Sequence, residues 1–315
     1  MIKIKLILFN LLERSLNILS RLGINKKIPG ASRIYNFLFK SFWPYKKVIE
    51  IQGSKMFIDI KEESYSMRKT FEAYASNRIH EKATTELFKK VVKEGEVVVD
   101  LGANVGYFTL LAAKLVGPKG KVFSFEPEPK NYNYLEQNIE LNNYNNVQSF
   151  QKAVSDKNGK TKLYICDYDT GHHTINKFEG VQAYSRGRIV EEKSVEIETI
   201  TLNEFFKDKE ELINVIKMDI EGAEALALAG MDNILKKNKK LKIFIEFFPL
   251  LIKKMGSSPS EFLRKLVEDY RFSISVIPDD YDAKKGEMVS AASADEVMGL
   301  CRREEDHINL FLEHK

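Results

Sequence analysis

Residues 97–110 read VVVDLGANVGYFTL. Valines run into an acid, Asp100; Gly102 and Gly106 follow with three residues between them, and Tyr107 then opens an apolar segment of helical period. A short β-branched run reads as a buried strand, a glycine turn as a place where backbone approaches something closely, and the apolar segment as a helix. Strand, turn and helix in that order make the first half of a βαβ unit. In an open parallel sheet the ligand lies beyond the carboxyl ends of the strands, so this turn faces the ligand crevice.

Outward from the turn the same alternation continues. KVFSFE (121–126) precedes a helical pattern at 130–142, and VQSFQKAV (147–154) reads as a third strand. VIKMDI (215–220) leads into a helix over 221–237, and LKIFIEF (241–247) is a fifth strand. Such alternation predicts a mostly parallel sheet covered on both faces. RFSISVI (271–277) and HINLFLE (307–313) are separated by mainly polar sequence and are expected to pair antiparallel at one edge. The expected fold is thus α/β, with a seven-stranded, mostly parallel sheet ending in an antiparallel strand pair. Before it, VIEIQ and KMFIDI flank Gly53-Ser54 and read as a β-hairpin.

The chain has 315 residues, 43% of them hydrophobic, and a formal net charge of +4, the composition of a globular protein. Cys166 and Cys301 have no CxxC spacing, which points to a reducing, cytoplasmic compartment. Basic residues concentrate at the N-terminus. At about 100° per residue, Ile4, Ile7, Leu8, Leu11, Leu12, Leu19 and Leu22 share one side of a helix, opposite Lys3, Asn10, Glu13 and Arg21. The run is broken by Asn10, Glu13 and Arg14 and has no small-residue cleavage site, so it reads neither as a signal peptide nor as a span. Two readings stay open: packing on the protein's own core or on a second copy as a homodimer, or lying peripherally on the inner face of the membrane. Residues 1–47 are therefore set apart as an amphipathic helical extension and 48–315 as the main domain.

The glycine turn admits two nucleoside cofactors. For a nicotinamide dinucleotide the pattern is GxGxxG, but Asn104 occupies the middle glycine position, and Asp100 would face a pyrophosphate, like charge beside like. S-adenosylmethionine has no phosphate and carries a sulfonium and an ammonium, so a nearby carboxylate attracts it. Glu126 ends the second strand, where a carboxylate can accept both ribose hydroxyls.

The order of motifs resembles the FkbM family of S-adenosylmethionine-dependent methyltransferases, which have the Rossmann-like class I methyltransferase fold. The matching pieces are HEKATTELFKKVVKEGEVVVDLGANVGYFTL (80–110), GKVFSFEPEPKNYNYLEQNIELNN (120–143), KAVSDKNG (152–159), IETITLNEFF (197–206), INVIKMDIEGAEALALAGM (213–231) and IFIEFFP (243–249). The resemblance implies that Asp100, Gly102, Asn104 and Gly106 surround the methionine part and ribose, that Glu126 takes the ribose hydroxyls, and that Pro127 turns over the ribose. It implies adenine between Ala153 and Val154, with Ser155 or Asp156 near its amino group. Asp219 is expected beside the methionine and the transferred methyl; Glu81 either steadies the amino end or bonds a nearby loop.

The resemblance further implies O-methylation of a hydroxyl or carboxyl group, with a carbohydrate or lipid-linked glycan as the expected acceptor. The base candidates are Asp219, Glu221, Glu246 and His172 or His173 in DYDTGHHTINK, of which Asp219, Glu246 and His173 are the chosen set. Tyr168, Tyr184, Arg186 and Arg188 read either as an acceptor wall or as an exposed loop. Asp219, Glu221 and Glu224 could offer oxygens to Mg²⁺, but without a histidine or further oxygen cluster no metal is expected. No nucleic-acid partner is expected, for there is neither an NPPY-like tetrapeptide nor a basic stripe with interleaved aromatics. The rival classes are an oxidoreductase, an O-methyltransferase of secondary metabolites, and a non-catalytic membrane-associated binding protein.

Overall fold

The computed structural model describes residues 46–62, 65–75, 79–165, 193–278, 288–291, 293–301, 303 and 306–314. The N-terminal amphipathic stripe lies outside these residues. So does the stretch 166–192, with Tyr168, His172, His173, Tyr184, Arg186 and Arg188.

The chain enters through the hairpin β1 (Lys46–Ile51) and β2 (Ser54–Asp59). Ile51 pairs with Ser54, so the turn is Gln52-Gly53, one residue earlier than Gly53-Ser54. Both turn residues have positive φ, 51° and 79°, as a two-residue turn matching strand twist requires. Helices α1 (Tyr65–Ala75) and α2 (Lys82–Val91) lead to β3 (Val97–Leu101), α3 (Tyr107–Val116), β4 (Lys121–Phe125) and α4 (Pro129–Asn142). The expected third strand divides at Gln151 into β5 (Val147–Phe150) and β6 (Lys152–Val154). β6 leaves the main sheet to pair with β8 (Lys193–Ile200), which also pairs with β7 (Gly159–Ile165).

The remaining strands are β9 (Val215–Met218), β10 (Lys242–Phe247), β11 (Phe272–Ile277), β12 (Val289–Ala291) and β13 (Ile308–His314). They complete an eight-stranded sheet of order β12-β11-β13-β10-β9-β3-β4-β5. The strand beyond the expected seven is β12, a three-residue edge piece in polar sequence with no period to announce it. β3, β4, β5, β9 and β10 run parallel, whereas β13 is antiparallel to both β10 and β11. Val99, Leu101, Phe123, Ile216 and Met218 are buried on one face; Val98, Val122, Val215 and Phe244 are buried on the other beneath α1, α2 and α3. Burial on both faces explains why these strands read as continuous apolar runs rather than alternating ones. The chain leaves β3 toward β4 on one side and meets β9 on the other, which opens the crevice at their carboxyl ends. Among the described residues no helix is long and apolar enough to cross a membrane.

Candidate active site

The turn after β3 is built by packing as much as by ligand access. Gly102 has φ 80°, and a Cβ there would lie 1.8 Å from the carbonyl oxygen of Asp219. Two strand ends therefore abut where only glycine fits, and the Asp219 N–H donates to the Leu101 carbonyl at 3.0 Å. At Gly106 a Cβ would come within 2.9 Å of Leu135 on α4, so that glycine serves helix packing. Asn104, at φ 50°, accepts the Val105 N–H with its own Oδ1 and donates its N–H to Glu126 Oε2, both at 2.8 Å. Asn and not a branched residue stands here because its short amide supports a left-handed backbone locally.

A cavity of about 740 Å³ opens beyond these strand ends. Glu81, Asp100, Gly102, Asn104, Glu126, Pro127, Ala153, Val154, Asp219 and Glu246 all line it; Gly106 does not. Residues far apart in sequence thus share one space. Glu126 also accepts the Glu128 N–H at 2.9 Å, yet burial outweighs these donors and pushes its carboxyl up to about 7. Asp100 accepts the Thr109 hydroxyl at 2.6 Å rather than capping the helix backbone, and burial lifts it to about 6. Glu81, the residue before α2, has φ 39°. Burial opposes its ionisation, but Lys217 and His80 prevail and bring it down to about 2.

Several lining groups gave no signal in the sequence. Lys217 sits inside the apolar strand VIKMDI, 1% exposed, with Nζ 3.4 Å from Asp219 Oδ2 and 3.9 Å from Glu81 Oε2. Tyr74, His80 and Tyr107 form a ring cluster, Tyr74 stacking on Tyr107 at 5.5 Å and His80 meeting Tyr107 edge-on at 5.2 Å. From β13 and the residue before it come Asn309 and His307. His307 Nε2 is 3.8 Å from Glu246 Oε1, and its ring lies 5.5 Å from that of Phe248. Burial, and then Asp219, hold the Glu246 carboxyl well above the usual range.

Asp219, Glu221 and Glu246 bring carboxylate oxygens within 4.8 Å of one another. Glu224, the third acid of the spacing expected from sequence, instead turns Oε1 to the N–H groups of Ile220 and Gly222 at 3.3 and 3.2 Å. Lys217 already offsets Asp219 here, and an acid cluster is not by itself a metal site; none is assigned.

The cavity fits a cationic amino-acid nucleoside. Glu81 Oε2 is buried with no hydrogen-bond partner, an acceptor that an ammonium group would satisfy. Glu126, directly after β4, lines the same cavity and leaves carboxylate lone pairs for a ribose.

Residues 100–274 match the family described as the methyltransferase FkbM domain. Methyltransferase 1 of Beauveria bassiana is 28% identical over 146 residues, which cover 43% of this chain and 58% of that protein. Methyltransferase sdnD of Sordaria araneosa is 30% identical over 156 residues, covering 43% and 60%. The 2-O-methyltransferase NoeI of Sinorhizobium fredii is 25% identical over 165 residues, covering 50% and 66%. The matches thus span less than two thirds of each relative's own length. The solved methyltransferase FkbM from Methylobacillus flagellatus superposes with TM-score 0.40 at 14% identity, over 79% of this chain and 55% of that one. The family match extends over more than half of the chain, on a mostly parallel sheet whose strand ends carry the acid-lined crevice: the chain belongs to the FkbM methyltransferase family.

Proposed function

We propose that the chain methylates a hydroxyl oxygen of a carbohydrate, in a glycan or glycolipid. When bound, S-adenosylmethionine supplies a methyl group on a positively charged sulfur. The displacement is in line and its leaving group is neutral, so the protein aligns the partners, excludes water and removes one proton. The supporting observation is the polar wall that β10 and β13 add to the cavity next to Asp219. Asn309 stands opposite Glu246 in the strand register, and its Oδ1 is buried with no hydrogen-bond partner, ready to accept from a hydroxyl. Burial and then Asp219 raise the Glu246 carboxyl, which favours a role in orienting the acceptor. The imidazole of His307 is the base on this wall, with Glu246 Oε1 3.8 Å from its Nε2. The name of NoeI, a 2-O-methyltransferase, supports an oxygen acceptor.

Residues 1–45 are assigned to the inner face of the membrane, where lipid-linked glycans are assembled; liposome flotation lost on deleting them would support this, and unchanged flotation would exclude it. The reaction itself is tested with methyl-labelled cofactor and a panel of methyl glycosides and lipid-linked glycans. Base-stable label on a glycoside is expected. Label released by mild base would reveal an ester and a carboxyl acceptor, and no transfer to any hydroxyl compound would overturn the assignment. His307→Gln should lower kcat about 10²-fold with the KM for cofactor unchanged.

A further inference from the structure

Lys217 is a cation where the fold has no need of one. In β9 its Cα lies between Asp100 of β3 and Phe244 of β10, on the sheet face covered by α2 and α3. Its strand neighbours Val215, Ile216 and Met218 are fully buried and apolar. A lysine at such a position costs several kcal/mol unless it is paired, and replacing a buried ion pair by apolar groups is often neutral or stabilising. Its stem therefore packs as a methionine would, while Nζ, 4.9 Å over the Phe108 ring, reaches the cavity floor. There it meets Asp219 on its own strand and Glu81 before α2, with Glu246 from β10 and Asp100 from β3 close enough to act on it.

We propose that Lys217 is the resident cation of the cofactor site, a positioning residue that holds the carboxylates of Glu81 and Asp219 in place for the positive groups of the bound cofactor. The inference rests on the reading that Glu81 and Asp219 flank the methionine portion. Four carboxyls, Asp100 buried and Glu81, Asp219 and Glu246 half-buried, crowd one place, and like charges this close disfavour one another's ionisation. One fixed positive charge stands between two of them, 3.4 Å from Asp219 and 3.9 Å from Glu81, while burial raises Asp100 and Glu246. Glu81 Oε1 faces His80 at 3.2 Å, so Oε2, 3.9 Å from Lys217 Nζ and without a hydrogen bond, is the oxygen left for the ligand. Without the lysine, burial would weigh more heavily against the charge on Glu81 that a cation seeks.

Calorimetric titration with S-adenosylhomocysteine, together with thermal melting, tests this on wild type, Lys217→Met, Lys217→Arg and the double variant Lys217→Met/Glu81→Gln. Lys217→Met should bind at least about tenfold more weakly, Lys217→Arg should recover most of the affinity, and the double variant should melt no lower than wild type yet bind weakly. A packing role predicts the reverse order, with methionine tolerated and arginine not. Folded Lys217→Met with wild-type affinity would overturn the proposal. If that variant fails to fold, the double variant decides: folded and weak in binding supports the proposal, whereas folded and tight, or unfolded, overturns it. A wild type that does not bind at all overturns the site reading itself, and this is seen before any variant is compared.

Discussion

Glu126 must be ionised to accept two hydroxyl hydrogen bonds, yet it sits where ionisation is unfavourable. Burial raises its carboxyl to about 7, against the pull of the Glu128 and Asn104 N–H groups. Affinity for S-adenosylhomocysteine, measured by calorimetry, should therefore rise between pH 6 and 8, because below about 7 a proton competes with the ribose. In Glu126→Gln the affinity should be about tenfold weaker, and that rise should be lost. A flat wild-type profile would remove Glu126 from ribose recognition. The same neighbourhood stores backbone strain: Glu81, Asn104 and Glu221, all lining the cavity, have φ of 39°, 50° and 55°. Gly102 is the least replaceable. Gly102→Ala places a methyl group against the Asp219 carbonyl at a positive φ, so the ends of β3 and β9 must part. Urea denaturation should show a loss of roughly 2–3 kcal/mol, with cofactor binding abolished.

At the scale of elements, the hairpin is tied to the motif turn through amides on α4. Asn138, fully buried, accepts the Phe57 N–H at 2.7 Å and donates to the Val105 carbonyl at 2.8 Å. Asn142 does the same for Lys55, accepting its N–H and donating to its carbonyl, both at 2.7 Å. The outer edge of β2 is thus satisfied by side chains rather than by another strand. Asn138→Ala leaves two buried groups unpaired and should cost about 2–4 kcal/mol in chemical denaturation. It should also weaken S-adenosylhomocysteine binding, since Val105 belongs to the turn; intact binding would show that the turn holds its shape without α4. None of this was legible in NYNYLEQNIELNN, where only a helical pattern shows. What was legible is local: a strand, its acid and its glycine turn lie within ten residues, and their order along the chain is their order of function. β13 pairs antiparallel with β11 as expected, but His307 and Asn309 enter the cavity because β13 also pairs with β10, which no local pattern specifies. Lys217 was hidden for the opposite reason: it lies inside a recognised motif, where a lone cation in an apolar strand reads as tolerated rather than placed.

For the whole molecule, the buried acids set how stability and function oppose each other. Asp100, Glu126 and Glu224 are raised from 3.8, 4.5 and 4.5 to about 6, 7 and 7, so the folded chain holds more protons than the unfolded one between these limits. A raised carboxyl contributes stability that is full below its unfolded value and is lost as pH climbs through the folded one. Glu81, lowered to about 2, acts the other way: its contribution is present above 4.5 and vanishes as pH falls toward 2. The ligand-free protein should therefore melt highest near pH 5 and progressively lower toward pH 8, each raised acid weighing on the order of 2–3 kcal/mol. A ligand that uses ionised Glu126 favours the form that the empty fold disfavours, so stabilisation by S-adenosylhomocysteine should grow with pH. Melting curves from pH 4.5 to 8.5, with and without saturating ligand, test both limbs; a ligand-free melting temperature that rises from pH 5 to 8 would refute the argument. Glu126→Gln sharpens it. Without an acid to ionise, the empty variant should outlast wild type at pH 8 while binding worse, as expected where a site keeps a charge that its fold would rather neutralise.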